Sequence, residues 1–458
     1  MAMTSWCGKP GRASSSAAPS TEPPHSAEHP RRPMRECELA YGRATVRVRL
    51  PADAEVAVYA PADLPAVADP LATLRQALSS PLDSPPLPAL AHPGQQVAIV
   101  IDDLSRPAPT AVMLQAVLED LETAGVRRTD LLILCAVGLH RPLTPEELRA
   151  LVGPAACDLE LLNHDPHDPA QLQFLTTTSL GTPLHLNRRF VEADLKILTG
   201  DVEYHQFVGY GGGAKSVYPG IADAEAIRLS HSRMELPGAE AGEIDGNPVR
   251  REIDEAGRAA GVDFVLHAVL NSRQEVVGAF AGDLDSAFRA GAKLVDAQYL
   301  LEIPRPVDTV LVSPGGYPRD LDLYQAQKSV SSAAKIVEPG GNVVLVAEAR
   351  EGAGSALFVQ WMTEAPTLDD VIRRARAEFV MGGHKAYQFA RAMQHAHLFV
   401  YSSLPQADIR KLKMQPLASV TALEALLAGS RRLAVLPQGT LSLARLAPAD
   451  TIPTPNGW

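Results

Sequence analysis

Cysteine is scarce in this sequence, and its few cysteines are poorly spaced for binding a metal. The 458 residues include four cysteines, and no two of them form a CxxC pair: Cys7, Cys37, Cys135 and Cys157. Structural zinc sites and iron–sulfur clusters usually take their thiolates from such closely spaced pairs. A cysteine-ligated metal is therefore not expected. Few, unpaired cysteines are typical of a reducing compartment, and we predict a cytoplasmic location.

Long hydrophobic runs and an excess of positive charge are also lacking. The longest apolar stretches, such as DLLILCAVG and NVVLVAEA, are much shorter than the roughly 20 residues that a membrane helix needs. The formal net charge is −11, whereas a general nucleic-acid binder shows a basic face or stripe. The sequence predicts neither a membrane protein nor a nucleic-acid-binding protein.

Apolar strand-like segments alternate with helical patterns along the chain. Seven such segments stand out: 95–103, 130–138, 193–201, 308–316, 341–349, 397–404 and 432–439. Near-continuous apolar strands separated by helices are typical of parallel sheets covered on both faces. Because 458 residues exceed one ordinary core, the sequence predicts an α/β protein with two doubly wound, mainly parallel-sheet domains.

Prolines mark the boundary between the two predicted domains. Pro304 and Pro306 cannot continue a helix and precede a new strand. We therefore predict an N-terminal domain over residues 34–303 and a C-terminal domain over residues 304–440. The final segment, 441–458, is expected to return to the N-terminal domain.

The first 33 residues differ in composition from the rest. Residues 1–33 are rich in serine, proline and alanine, and they lack the apolar stretch of a signal peptide. They indicate either a disordered tail or a start codon assigned too early. Met34 opens the segment MRECELAYGRATVRVRLP, which predicts a first β-hairpin.

Polar residues follow the first three predicted strands, where ligands bind in open parallel sheets. The first of these segments, DDLSRPAP, places Asp103 and Arg106 three residues apart in a turn. That turn is either a local Asx-turn with a solvated arginine or a site where Arg106 holds an anion.

The second segment, GLHRPLTPEEL, contains a helix start. Thr144, Pro145 and Glu147 form an N-cap, a first-turn proline and a capping-box partner, so a helix is predicted from about residue 145. His140 then lies in the loop between strand and helix. Its position leaves a structural and a functional role equally open.

The third segment ends in GYGGGAKS, a glycine-rich loop around Lys215. A phosphate-binding loop of the form GxxxxGK[ST] needs a glycine where Ala214 stands, and it must open a helix. Pro219 and Gly220 follow too soon for that. A lysine on a flexible glycine platform instead suits covalent attachment of a ligand.

Further polar residues surround this lysine or lie in the second half. His205 lies ten residues before Lys215 and His231 sixteen after it, and each histidine can be a proton shuttle or a metal ligand. Gln325 and Lys328 in YQAQKSVSSAAKIV lie one helical turn apart and share a face. That face is either solvated or directed to the cleft between the domains.

Together these segments resemble the nickel-pincer lactate racemase family of 2-hydroxy acid racemases and epimerases. The resemblance is carried by DDLSRP, GLHRPLT, EYHQFVGYGGGAKSVYPG, SHSR and YQAQK, in that order and separation. It runs from about residue 40 to the C-terminus. It implies an active site in the cleft between the two domains.

The resemblance implies a cofactor and an acid/base pair. In that family a Ni(II)-pyridinium-3,5-bisthiocarboxylate mononucleotide is joined covalently to a lysine, which Lys215 matches. His231 matches the histidine that completes the square-planar nickel. His140 and His205 match two catalytic histidines that serve opposite enantiomers, and both are expected to titrate near neutrality.

The resemblance also implies a substrate site. Arg106 and the second-domain pair Gln325 and Lys328 match residues that hold the substrate. The loop that lies against the cofactor is matched by four residues: Asp103, Leu104, Ser105 and Arg106. The implied reaction takes hydrogen from C2 as hydride, which avoids a carbanion, and returns it to the other face. Implied partners are a small 2-hydroxy acid and the proteins that make the cofactor and insert nickel.

The substrate and two other functions stay open at this stage. The region 381–393 contains polar residues and no tryptophan, which suits lactate less than a sugar acid or a dicarboxylate such as malate: His384, Lys385, Tyr387 and Gln388. One alternative is a carrier or chaperone of the nickel nucleotide, which needs Lys215 and His231 only. The other is a phosphate-loop nucleotide-dependent enzyme, which Ala214 and Pro219 oppose.

Overall fold

The structure is a computed structural model that describes residues 35–377, 380 and 382–447. The predicted N-terminal tail and residues 448–458 lie outside the described residues. None of the described helices is long and apolar enough to cross a membrane. The described cysteines, Cys37, Cys135 and Cys157, are free thiols.

The strands of the described chain, in order, are β1 (Arg35–Tyr41), β2 (Ala44–Leu50), β3 (Glu55–Val58), β4 (Val97–Asp102), β5 (Leu131–Ala136), β6 (Glu160–Asn163), β7 (Leu172–Thr177), β8 (Pro183–Asn187), β9 (Leu195–Asp201), β10 (Tyr204–His205), β11 (Gly209–Tyr210), β12 (Phe264–Leu270), β13 (Val276–Gly282), β14 (Leu300–Ile303), β15 (Val307–Val312), β16 (Val337–Val346), β17 (His397–Tyr401), β18 (Gln415–Pro416), β19 (Arg432–Leu436) and β20 (Leu443–Leu446). Each of the seven strand-like segments of the sequence overlaps one of them.

The helices of the described chain are α1 (Pro70–Ser79), α2 (Leu87–Leu90), α3 (Thr110–Thr123), α4 (Pro145–Val152), α5 (Arg188–Val191), α6 (Ala224–Ser232), α7 (Pro248–Ala259), α8 (Leu284–Tyr299), α9 (Leu323–Ala334), α10 (Ala356–Glu364), α11 (Leu368–Ala377), α12 (Gly383–His395), α13 (Gln406–Lys411) and α14 (Val420–Leu427).

Two six-stranded sheets organise the molecule, and the predicted fold class is confirmed. The first sheet has the order β13-β12-β9-β4-β5-β6, with β13 as its antiparallel edge strand. The second has the order β18-β17-β16-β15-β19-β3 and is parallel throughout. The central strand β4 is buried along most of its length, as a strand covered by helices on both faces should be.

The predicted N-terminal hairpin forms, but it packs on the second sheet. β1 and β2 pair antiparallel, and Leu39 and Val48 share a buried apolar cluster with Leu311 and Val344 of that sheet. β3 then extends the same sheet beside β19. The sequence prediction grouped these strands with the N-terminal domain. Their alternating apolar residues instead cover an edge and a face of the second sheet, which limits exposed strand edge.

The end of the described chain returns to the strand that precedes the second sheet. β20 pairs in parallel with β14, from Leu300 beside Leu443 to Ile303 beside Leu446. The Ser332 hydroxyl of α9 also donates a hydrogen bond to the Ser442 carbonyl oxygen at 3.0 Å. Residues 441–447 therefore contact both halves of the molecule.

Candidate active site

Three neighbouring strands of the first sheet bring the predicted site together. β4 lies between β5 and β9, and all three run parallel. Asp103 follows β4, His140 lies in the loop after β5, and His205 lies in the hairpin after β9. Because the carboxyl ends of parallel strands meet at one edge, these three loops converge as predicted.

A cavity of about 100 Å³ lies between these loops. Its lining includes seven of the residues predicted from sequence: Asp103, Ser105, Arg106, His140, His205, Lys215 and His231. Leu104 was also predicted to contact the cofactor, but it is 52% exposed and is not among the lining residues. The cavity thus brings together the residues predicted from the first domain except that leucine.

His140 is held by the first loop. The helix α4 begins at Pro145, as predicted, with both hydrogen bonds of the capping box formed between Thr144 and Glu147. The His140 Nδ1 atom lies 2.6 Å from the Asp103 Oδ2 atom. The Asp103 carboxylate accepts this hydrogen bond, so the imidazole carries its proton on Nδ1 and presents Nε2 as a base.

Asp103 is suited to this role because it stays ionised. Burial favours the neutral acid, but hydrogen bonds from His140 and Ser105 outweigh it and lower the pKa of Asp103. The Ser105 backbone N–H and hydroxyl both donate to Asp103 Oδ1, at 3.0 Å and 2.5 Å. The predicted turn at 103–106 is therefore an Asx-turn that also orients His140.

His205 has a different environment. It ends β10 of a short hairpin with β11, and its ring lies against Phe207 with centroids 4.9 Å apart. Its Nδ1 atom is buried without a hydrogen-bond partner among the described residues. Burial, together with the positive charges of Lys215 and Arg106, lowers the pKa of His205 well below its usual value.

The expectation that both histidines titrate near neutrality is wrong for His205 in this structure. Sequence spacing does not reveal that the ring is enclosed or that two cations lie near it.

Lys215 lies in a four-residue 3₁₀ turn, Gly213–Ser216, and the next α-helix begins only at Ala224. A phosphate-binding loop would place this lysine at the start of an α-helix. Within the described part of the chain, the Lys215 ammonium forms no hydrogen bond or ion pair. Burial, aided by Arg106, lowers the pKa of Lys215 to about 8, although Asp102 and Glu203 oppose the shift. Such an amine is partly neutral at physiological pH and is a competent nucleophile.

We expect Lys215 of the cofactor-free protein to be acylated selectively at neutral pH. At pH 7.5 about a quarter of an amine with a pKa near 8 is neutral, against about 0.1% for an ordinary lysine. Isotope-coded acetic anhydride and peptide mass spectrometry would give the rate against pH, with Nα-acetyl-lysine in the same tube as reference. A Lys215 rate that reaches half its maximum only near pH 10.5 would contradict this environment.

Residues that the sequence analysis missed hold the glycine loop. The backbone N–H of Gly213 donates to His267 Nε2 at 3.1 Å, and Arg250 donates to the Gly212 carbonyl oxygen at 3.2 Å. Gly212 and Gly213 have positive φ angles of 79° and 60°, respectively. A Cβ on Gly213 would meet the Arg250 Nη2 atom at 2.4 Å and the Phe288 ring at 3.1 Å. The loop therefore needs glycine because its backbone packs directly on these side chains.

His231 lies near the end of α6. Its Nδ1 atom lies 2.8 Å from the Ile227 carbonyl oxygen, which can only accept, so Nδ1 carries the proton. The lone pair of Nε2 is then the one suited to a metal, and burial lowers the pKa of His231 and favours the neutral ring. The Phe207 ring contacts both His231 and His205, with centroids 5.4 Å and 4.9 Å away. Among the described residues, no group of three or more His, Cys, Asp or Glu side chains is arranged to hold a metal ion.

A group of acids beside Lys215 was also missed. Burial raises the pKa of Asp102, which ends β4, and it raises the pKa of Asp201, at the end of β9, well above its usual value. Glu203 lies 3.3 Å from Arg106 in an ion pair. Burial acts to lower the pKa of Arg106, but Glu203 and Asp102 outweigh it. Glu203 therefore offsets the charge of Arg106, and the positions of Asp102 and Asp201 at strand ends were the available sequence signal for this group.

A larger cleft of about 1300 Å³ adjoins the cavity and is lined by both halves of the molecule. It shares Ser105 and Phe207 with the cavity. Gln325 and Lys328 of α9 are exposed and line this cleft, as predicted. Four polar residues were singled out in the segment 381–393. Tyr387 and Gln388 line the cleft, whereas His384 and Lys385 do not.

Comparisons with known proteins agree with this arrangement. The family model for the lactate racemase N-terminal domain matches residues 41–242, and the model for the lactate racemase C-terminal domain matches residues 303–440. A lactate racemase from Lactiplantibacillus plantarum is 31% identical over 345 residues, which cover 74% of this chain and 81% of that protein. One from Thermoanaerobacterium thermosaccharolyticum is 28% identical over 384 residues, covering 81% and 90%.

Solved structures support the same assignment. The lactate racemase apoprotein from Thermoanaerobacterium thermosaccharolyticum aligns with a TM-score of 0.80 and 26% identity, covering 90% of this chain and 100% of that one. A protein from Thermotoga maritima, at 18% identity and a TM-score of 0.57, shares the fold. The fold and the relatives define an isomerase, specifically a racemase. The chain belongs to the lactate racemase family, and the resemblance stated from sequence is confirmed.

Proposed function

We propose that the chain inverts the C2 carbinol of a 2-hydroxy acid by reversible hydride transfer to a nickel-pincer pyridinium mononucleotide attached at Lys215. The observation that carries this proposal is the Lys215 amine, which has a lowered pKa and faces a cavity shared with three histidines. A half-buried amine that forms no hydrogen bond or ion pair among the described residues is available to react, and a ligand attached there would remove its charge.

The residues around the cavity fit such a group. Lys215 would hold it covalently, and His231 would supply a neutral imidazole nitrogen to nickel because its other nitrogen already donates to Ile227. The cavity of about 100 Å³ is smaller than the roughly 300 Å³ of a typical small-molecule pocket, but the adjoining cleft provides the remaining room. When bound, the group supplies a hydride acceptor, so the C2 hydrogen need not leave as a proton.

The two histidines then handle the hydroxyl proton. His140, oriented by Asp103, and His205, kept neutral by burial, can each accept that proton from a substrate between them. Each would serve as base for one enantiomer and as acid for the other. The His140–Asp103 pair favours this enzyme over a nucleotide carrier, because a carrier has no use for an oriented base.

We assign the substrate carboxylate to Arg106, which lines the cavity of the first domain, and to Lys328 and Gln325 of α9, which line the adjoining cleft. Arginine offers a planar fork to a carboxylate, and lysine adds a second charge. Holding the acid at both sides fixes C2 relative to the histidines, which is the main requirement for fast transfer.

The relatives named above are lactate racemases, but the lining of this cleft favours a more polar substrate. Gln388, Tyr387 and Ser331 line it beyond Gln325. We propose a sugar acid or a dicarboxylate such as malate. The proposal also includes the cofactor-synthesis and nickel-insertion proteins as partners, and a cytoplasmic location consistent with the free thiols.

A panel of enantiopure acids tests the function and the substrate class. We expect kcat/KM for gluconate or malate to exceed that for lactate by roughly 10-fold or more, since the Gln388 side-chain oxygen, which has no hydrogen-bond partner among the described residues, disfavours a methyl group. The measurement is chiral chromatography on protein made together with the cofactor-synthesis enzymes. Gln388→Leu is expected to remove the preference and spare lactate. Lactate as the best substrate would overturn the substrate class, and inversion of none of the acids would overturn the function.

A further inference from the structure

A buried glutamine joins the His205 hairpin to the substrate-binding helix. The geometry points to Gln327 as a positioning residue that, through Gln206, fixes His205 relative to Gln325 and Lys328. The inference rests on the proposed function, because it assumes that His205 is a base and that α9 holds the substrate.

The contacts of Gln327 converge from both domains. Its Oε1 atom accepts hydrogen bonds from Gln206 Nε2 at 3.2 Å and from Lys385 Nζ at 2.9 Å. Its own Nε2 atom donates to Ser331 Oγ at 2.5 Å, one turn further along α9. The Gln327 side chain is fully buried. Both ends of the amide are therefore satisfied, which fixes its orientation without ambiguity between oxygen and nitrogen.

Gln206 is the residue through which this contact reaches the reaction centre. It follows His205 directly and precedes Phe207, whose ring contacts both His205 and His231. The hairpin β10–β11 has only two residue pairs, Tyr204 with Tyr210 and His205 with Gly209. So short a hairpin is marginally stable by itself and depends on outside contacts.

The two ends of the hairpin are anchored differently. The Tyr204 and Tyr210 hydroxyls both donate to Asp296 Oδ1, at 2.7 Å and 2.6 Å, which fixes the base of the hairpin within the first domain. At the turn, the Gln206 side chain instead reaches the second domain. The position of His205 is thereby tied to α9, where Gln325 and Lys328 lie within one turn of Gln327.

Lys385 explains why an oxygen is needed at this point. It is 7% exposed, and within the described residues it forms no ion pair with a carboxylate. Its hydrogen bond goes to the Gln327 oxygen, and its ammonium also lies 5.5 Å from the centre of the Tyr324 ring. An apolar residue in place of Gln327 would leave both Gln206 and Lys385 without their acceptor, so a fixed carbonyl oxygen is required.

The test uses cofactor-loaded variants with rates normalised to bound nickel. Gln206→Leu removes the hairpin donor but leaves the Lys385–Gln327 bond, so it should fold normally. We expect kcat to fall roughly 10- to 100-fold with KM little changed, as for a displaced catalytic group. Gln327→Leu should give a similar loss, and Gln206→Leu/Gln327→Leu should be no worse than either single variant. Gln327→Glu keeps an oxygen that can accept the hydrogen bonds from Gln206 and Lys385. Its kcat should therefore be close to that of the parent protein and well above that of Gln327→Leu.

Hydrogen exchange provides a second measurement, which does not depend on cofactor loading, and a variant at another interdomain contact provides the control. Amide hydrogen exchange of the 204–210 hairpin in the cofactor-free protein should accelerate in Gln206→Leu. Arg376→Gln removes the Arg376–Glu235 ion pair between the domains and should change neither quantity, because that pair includes no residue of the hairpin or of its contacts to Gln327. Additive losses in the double variant, unchanged hairpin exchange, or no rescue by Gln327→Glu would overturn the inference. Absence of racemisation in the loaded parent protein would instead overturn the proposed function.

Discussion

Replacing Lys215 by arginine is expected to abolish both the covalent adduct and racemisation. Arginine keeps the positive charge, but its guanidinium stays protonated at neutral pH and cannot be acylated as the lysine amine can. Made together with the cofactor-synthesis enzymes, the variant should lack the mass increment on the peptide at position 215 and bind no nickel. Racemisation should fall roughly 10³-fold or more, as when a covalent group is removed. Intact mass, nickel analysis and chiral chromatography give the three readouts.

The matched control is Lys293→Arg, at an exposed position of α8. This variant should keep the adduct, the nickel and the parent rate. A Lys215→Arg protein that still inverted hydroxy acids at the parent rate would show that the lysine is not the attachment point. The Lys215 environment would then need another explanation.

The second large effect is expected at the two histidines. His140→Asn and His205→Asn should each lower kcat/KM by roughly 10²- to 10⁴-fold, the usual contribution of a general acid or base. Both should keep the adduct and the nickel, because neither residue is assigned to hold the group. Asparagine at position 140 can still donate to Asp103, so the loop should keep its conformation. Rates with each enantiomer, nickel content and peptide mass provide the measurement.

A thermodynamic relation provides an internal check on these variants. For a substrate whose only stereocentre is C2, such as malate or lactate, the equilibrium constant between the enantiomers is one, so kcat/KM must stay equal in both directions even when kcat and KM change separately. His92→Asn, at an exposed position, is the control and should behave like the parent. Parent-like rates in both active-site variants would contradict the acid/base assignment. Loss of nickel from either would mean that it holds the cofactor.

Much of the fold was predictable because its signals are local. The apolar runs at β4, β5 and β9 are continuous in sequence, and Thr144 and Glu147 define a helix start by their spacing alone. The location of β1, β2 and β3 was not predictable in the same way. Those strands join the second sheet through contacts with residues such as Val344, about 300 positions later. No local sequence pattern predicts these contacts between β1, β2 or β3 and the second sheet.

The active site likewise has features that the sequence predicts and features that depend on contacts between distant segments. Lys215, His205 and His231 lie close together in sequence, and the motif around them has unusual composition. The contact between Gln206 and Gln327 joins residues 121 positions apart, and each glutamine is unremarkable in its own segment. The lowered pKa of His205 likewise depends on enclosure and on Arg106 from another loop. Such properties arise only when the strands are placed side by side.

Racemisation in heavy water tests the hydride mechanism most directly. If the C2 hydrogen leaves and returns as hydride, it does not pass through a histidine, whose N–H protons exchange with solvent. The account predicts that the enantiomer formed from an enantiopure 2-hydroxy acid in D₂O keeps its C2 protium, as read by mass spectrometry and proton NMR. Incorporation of about one deuterium at C2 per inversion, as a proton-transferring base would give, would contradict it.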